Sequence, residues 1–264
     1  MSIEVRVFKA DAGVKWFKAG WEIFKLQPVT FILMHLLIGV IGFLSLVLPL
    51  LQVVGAFVAP FLMAGFYQAV LTKQQGGTVS QVDIFKPFSN KGNRIGLVRV
   101  AVYQMAAGIL LALLSNFIFA DAYAVISSQT FDPQNQTHIA DLLATISMGQ
   151  VGVFLLAICV YMTAFAYAIP LVYFQKQSNM LQVLKTSFMV FYHNMAPLSV
   201  YGLICAVLMV ICIPLSFIPL LVLMPICYIS FFVSFQAIFM PVVPKGDDQT
   251  KAPEAPSQSG RFDA

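Results

Sequence analysis

Long apolar runs alternate with shorter polar segments along the chain. The first run, from Val29 to about Leu71, is too long for one membrane helix and fits two, since the hydrocarbon core of a bilayer takes about 20 helical residues. Pro49, near its middle, marks the turn, and Gln52 just after it can face headgroups. The run from about Ile95 to Phe119 predicts a third span, and that from about Met148 to Phe174 a fourth. The last block, Ala196 to Val243, again has the length of a hairpin. The pattern predicts an all-α polytopic membrane helix bundle with six transmembrane helices, near 29–49, 52–72, 95–119, 148–174, 197–217 and 220–242. These form one integral membrane domain over 1–243, and the polar, Pro/Ser-rich stretch 244–264 reads as a disordered cytoplasmic tail.

Amphipathic segments precede three of the spans. Over 11–26, Asp11, Lys15, Lys18, Glu22 and Lys25 share about one quarter of the helical wheel, at roughly 100° per residue. Val14, Phe17, Trp21 and Phe24 lie on the rest, so the segment predicts a helix in the headgroup plane, ended by Pro28. Leu181, Leu184, Phe188 and Phe191 recur at helical spacing before span five, and His193-Asn194 and Pro197 close that segment. A shorter one begins with Ser80 and Asp83 in a capping-box-like start, which Pro87 breaks. Spans 1–2 and 5–6 form a parallel pseudo-repeat: Pro49 and Pro60 answer to Pro214 and Pro225, and Tyr67-Gln68-Ala69-Val70 to Phe235-Gln236-Ala237-Ile238. An approximate two-fold axis along the membrane normal is expected, with spans three and four completing the bundle. Pro60 and Pro225 should each kink their span. The small-residue pairs Gly55/Ala59, Gly108/Ala112 and Ala164/Ala168 predict close helix packing.

Composition agrees with this reading. Of 264 residues, 59% are hydrophobic and 10% charged, with a mean hydropathy of +0.86. Soluble domains carry about 25% charged residues, so a folded soluble catalytic module is excluded. All fifteen Lys and Arg residues fall before span one, between spans two and three or four and five, after span six, or, for Arg99, just inside span three. Positive segments resist translocation, so both termini are expected in the cytoplasm and the loop 120–147 on the far side. The net charge of +4 is therefore a topology signal, and no nucleic-acid partner is expected. No cleavable signal peptide is evident, so the first span should direct insertion. Cys159, Cys205, Cys212 and Cys227 lie inside apolar runs without metal-site spacing, and read as small buried hydrophobes.

Asp, Glu and Lys are absent from the centre of every span, where pumps and ion-coupled carriers usually keep an ionisable group. There is no HExxH, GxSxG or P-loop motif. No metal, cofactor or catalytic residue is predicted. The polar residues that enter the membrane, His35, Gln68, Arg99, Tyr103, Gln104 and Gln236, all fall in its cytoplasmic half. They could form a pocket, with Arg99 as an anion anchor and His35 as a proton acceptor, or could serve interhelical hydrogen bonding and snorkelling.

The start (EVRVF, then GVKWFKAGWEIFKLQP), the proline-turn hairpins and the HN-x-x-P motif before span five resemble a family of small, uncharacterised bacterial inner-membrane proteins. The resemblance implies six spans in a bacterial inner membrane and carries no activity or site. The sequence thus predicts a non-enzymatic, non-catalytic scaffold or accessory membrane component, in contact with the bilayer and a membrane-protein partner. The alternative is a permease or channel-like protein for a small or amphipathic solute.

Overall fold

A computed structural model describes residues 5–90, 92, 94–128, 132, 134–215 and 218–239. The tail predicted over 244–264 lies outside the described residues. Six helical stretches are long and apolar enough to cross a membrane: Pro28–Val47, Leu51–Gln74, Arg94–Ile118, Met148–Phe174, Met195–Cys212 and Leu220–Phe239. The chain is therefore a multi-pass, all-helical membrane protein. In order, the elements are α1 (Ala12–Leu26), α2 (Pro28–Val47), α3 (Pro49–Gln74), a 3-10 helix (Gln81–Phe85), α4 (Lys86–Ser89), α5 (Arg94–Ile118), α6 (Ala120–Ser127), α7 (Gln136–Ala144), α8 (Met148–Phe165), α9 (Ala168–Phe174), α10 (Met180–His193), α11 (Met195–Cys212) and α12 (Leu220–Phe239).

The spans make three hairpins: α2 with α3, α5 with α8–α9, and α11 with α12. Proline shapes two of them. Pro49 opens α3 and holds Leu48 extended (φ −113°, ψ 106°), which turns the first hairpin. In the second, Pro170 has no N–H to offer the Ala166 carbonyl, and span four breaks between α8 and α9. By contrast, α3 and α12 continue helical through Pro60 and Pro225. The loop between α5 and α8 holds α6 and α7, which the hydrophobic pattern did not predict; Asn135 caps α7 by accepting from the Thr137 N–H at 3.0 Å.

Every described Lys and Arg lies at or near one end of the bundle, the basic face. The packed core lies in that half: Phe31, Met34, Phe66, Val70, Leu171, Phe232, Phe235 and Ile238 are fully buried. Toward the other end Phe43, Leu46, Val53, Leu113 and Phe117 are exposed. The second helices of the first and third hairpins face inward, 56% buried against 17% for the other four spans; in span four the buried part is α9, with Ala168, Pro170, Leu171, Val172 and Tyr173.

The layout that hairpins one and three share, an amphipathic segment before each, recurs at the second hairpin. Each hairpin follows an amphipathic segment, and each segment packs on the preceding hairpin in cyclic order. The 3-10 helix and α4, leading to hairpin two, lie on α3 and α2; α10, leading to hairpin three, lies on α8 and α9; α1, leading to hairpin one, lies on α12 and α11. The contacts are at backbone distance. A Cβ on Gly65 of α3 would fall 2.0 Å from the Ile84 carbonyl oxygen, and one on Gly20 of α1 would fall 2.8 Å from the Ser230 nitrogen of α12. At the third contact, the buried Ser187 hydroxyl of α10 accepts from the Tyr167 N–H (3.1 Å) and donates to the Thr163 carbonyl (2.8 Å). Those two backbone groups would bond each other in an unbroken helix, so Ser187 splices the break in span four. Matching left-handed residues, Gly76 (φ 81°) and Lys176 (φ 55°), follow hairpins one and two.

These contacts change the picture of α1. Its polar arc forms as predicted, with Lys15 bonded to Asp11 (2.6 Å) and Lys25 to Glu22 (2.8 Å). Ala12, Gly13, Trp16, Gly20 and Phe24, however, are buried against protein, while Val14 and Trp21 stay exposed. Small residues let the helix sink onto α12 rather than rest wholly on lipid. The capping box at Ser80 and Asp83 also forms. Partial burial opposes the Asp83 charge, but the Ser80 N–H (3.0 Å) and Lys86 outweigh it and hold the carboxyl below its usual range. That contribution is fully present above the ordinary carboxylate pKa and fades as pH falls through the lowered value.

Asn194, fully buried, fastens the ring where α1 closes it. Its Oδ1 accepts from the Phe8 N–H (2.9 Å) and its Nδ2 donates to the Arg6 carbonyl (3.0 Å). Asn194→Ala should leave these groups unpaired and cost about 1–3 kcal/mol. Thermal unfolding in nanodiscs checks the cost, and limited proteolysis should show earlier cleavage before Ala12. Unchanged unfolding and cleavage would refute the fastening role.

Candidate functional site

The six polar residues singled out from the sequence enter separate interactions. Gln68 accepts a hydrogen bond from the Tyr173 hydroxyl at 2.5 Å, tying α3 to α9. Gln236 exchanges two amide hydrogen bonds with Gln74, at 2.9 and 2.7 Å, tying α12 to α3. Tyr167 and Ser234 share a hydroxyl contact of 3.0 Å, and Gln175 donates to the Phe239 carbonyl, so the end of span four is tied to α12. The three inner helices are thus bonded pairwise in a triangle.

Arg99 belongs to a second, outer set. Its Nη1 donates to the Ser178 carbonyl at 3.1 Å, just before α10. Gln27, at the start of hairpin one, donates to the Val79 carbonyl (2.5 Å), just before the 3-10 helix, and to Thr30 Oγ1 (2.7 Å). Asn194, at the start of hairpin three, holds Arg6 and Phe8 before α1. In each unit a polar side chain near the start of a hairpin therefore grips the backbone leading to the next amphipathic segment. This use of Arg99 is an interhelical tie. Tyr103, one turn on, is exposed.

His35 packs its ring near Tyr228, 5.6 Å between centroids, and its buried Nδ1 has no hydrogen-bond partner among the described residues. Gln104 stands apart from the other five: it lines a cavity of about 560 Å³ between α3, α5 and α8, together with Gln52, Ala56, Ala59, Gly108, Ala112 and Tyr161. Gln52 stands at the start of span two, and Gln104 and Tyr161 near the middle of their spans. The cavity therefore reaches from the end opposite the basic face to mid-depth. It also corrects the packing expected of the Gly108/Ala112 pair and of Ala59. Ala59, Gly108 and Ala112 line open space, and a Cβ on Gly108 would meet nothing within 4 Å. At this end the second hairpin is closed by the Gln150 amide donating to the Ile118 carbonyl at 2.8 Å, and the opening lies between the first and second hairpins. Gly55 does make its contact, against Ser45 of α2.

Toward the basic face the centre is filled by aromatic rings. Tyr67 stacks on Phe232 (4.9 Å between centroids, 9° between planes) and Tyr167 on Phe231 (4.8 Å, 10°), while Phe174 lies 5.1 Å from Phe232. Among the described residues, no group of three or more His, Cys, Asp and Glu side chains is placed to hold a metal ion. Cys205 and Cys227 approach to 3.4 Å between sulfurs, as free thiols on α11 and α12.

Sequence reading passed over Gln27, Gln74, Tyr173, Ser187 and Ser234. Gln74 and Gln27 stand where a span meets its polar flank, and they offered no signal beyond an amide at a helix end. Asn194 stood in the HN-x-x-P motif, which the structure explains through its grip on the backbone of Arg6 and Phe8.

Fold and site define a multi-pass helical membrane protein whose hairpins interlock at their basic ends. No family model, curated protein or solved structure matches the chain.

Replacing His35 by Phe keeps the ring contact and removes the unpaired nitrogen, so stability should hold or rise. The Tyr173→Phe and Gln68→Leu pair should couple by about 0.6 kcal/mol and at most about 1.7 in a double-mutant cycle. Unfolding in detergent or nanodiscs measures both, and a marked loss for His35→Phe would reveal a role for the imidazole.

Proposed function

We propose that the protein is a non-catalytic scaffold or accessory component of a bacterial inner membrane, with both ends of the chain and the basic face in the cytoplasm. The observation that carries this reading is the aromatic core of the basic half. Phe66, Tyr167, Phe232 and Phe235 are fully buried, and Tyr167 is bonded to Ser234 and Gln68 to Tyr173 beside them. A permeation path would have to part these stacked rings and break the inner triangle. The ties between hairpins favour a rigid body suited to holding a membrane-protein partner. The lateral cavity favours a second reading, a permease for an amphipathic solute, but it stops at mid-depth above the aromatic layer.

Orientation is tested with Gln134→Cys and Lys185→Cys. A membrane-impermeant maleimide applied to spheroplasts should label the first and reach the second only after lysis; the reverse would invert the assignment. For function, the chain released from its own membrane into nanodiscs should carry one other integral membrane protein at fixed stoichiometry by native mass spectrometry. Alone in liposomes it should release neither carboxyfluorescein nor a potassium gradient above the protein-free rate. A solitary chain, or flux above that rate, would overturn the scaffold reading.

A further inference from the structure

We propose that the cavity between α3, α5 and α8 binds an uncharged, hydroxyl-bearing lipid of the diacylglycerol class, taken sideways from the bilayer. This goes beyond the accessory role argued above and does not depend on it. The volume, about 560 Å³, falls in the range of small-ligand sites. No charged side chain lines it. At mid-depth an ionised headgroup without a counter-charge is strongly disfavoured, so a ligand whose polar end reaches Gln104 and Tyr161 in the inner part of the cavity is uncharged.

The polar lining then specifies the ligand. The Gln52 and Gln104 amides and the Tyr161 hydroxyl have no hydrogen-bond partner among the described residues. At the mid-depth of Gln104 and Tyr161 an unpaired polar group is costly and water is scarce, whereas Gln52, at the start of its span, lies within reach of headgroups. Pro60 adds a backbone acceptor: it has no N–H, so the carbonyl of Ala56, a lining residue, receives no bond from position 60. Amide and carbonyl oxygens ask for a donor, and amide N–H groups and the phenol ask for acceptors. A diacylglycerol end supplies both, through one hydroxyl and two ester carbonyls. Its chains would lie along Val53 and Ile109, exposed apolar residues of the same lining. Gly108, whose missing side chain leaves open space, makes the room.

The test uses the full chain in nanodiscs with a diazirine-bearing diacylglycerol and, separately, a diazirine-bearing phosphatidylglycerol. Photolabelling by the diacylglycerol should map to the cavity wall. A Cβ at position 108 meets nothing within 4 Å, so Gly108→Phe directs a ring into the space and should cut that labelling about tenfold, with unfolding unchanged or raised. Gln104→Leu should weaken it while leaving the cavity open. If Gly108→Phe does not fold, Ala112→Phe fills the same space from the next turn. The phosphatidylglycerol probe should show no preference for the cavity. Equal labelling of wild type and the filled variant, or cavity labelling by phosphatidylglycerol at the diacylglycerol level, would overturn the proposal.

Discussion

Helices in a bilayer gain little by burying apolar surface against one another, because lipid chains are as apolar as leucine. What separates one arrangement from another is close backbone contact and hydrogen bonding, and here both are concentrated at the basic end. Gly65 and Gly20 bring backbones together, and the Ser187 hydroxyl repairs a broken ladder. The inner triangle joins α3, span four and α12, while Gln27, Arg99 and Asn194 grip the segments around it. Without these bonds, three hairpins joined by flexible segments would have no preferred order around a centre.

The distribution of these ties accounts for the contrast between the two halves of the bundle. At the basic end, polar groups at the helix ends meet across the interface, and aromatic rings fill the space they enclose. At the other end the hairpins carry apolar side chains such as Phe43, Leu46 and Phe117 that lipid satisfies equally well. The ties there lie within hairpins, as between Gln150 and the Ile118 carbonyl or Gly55 and Ser45, and α3 and α5 part around Gln52 and Gln104. The scaffold reading draws on the first half and the lipid site on the second.

Much of this architecture was legible in the amino-acid sequence. The spans follow from the length of apolar runs, a property of the solvent more than of the partners, and they lie within a few residues of their expected bounds. Pro49 and the Ser80–Asp83 box act locally and were equally readable. Partner choice was not. Arg99 reads in sequence as a snorkelling cation or an anion anchor, and only folding shows that its guanidinium reaches the Ser178 carbonyl. Gly20 and Gly108 look alike on a helix wheel, yet one is pressed against Ser230 and the other faces a void. The three-part repeat escaped notice because the equivalent groups differ in kind: glycine and serine, or Gln27, Arg99 and Asn194, do the same work with different chemistry.

The cyclic docking order has a consequence for biogenesis. The 3-10 helix and α10 each land on a hairpin already made when they leave the ribosome. Helix α1 is made first but lands on the third hairpin, and the Phe8–Asn194 bond joins residues 186 apart. Through most of translation its Trp16 and Phe24 face has no protein to cover it, and it must wait at the membrane surface on its Lys-bearing side. A nascent chain that stalls before α12 therefore displays an uncovered aromatic helix, a distinguishing mark by which quality-control proteases could tell an unfinished copy from a closed one.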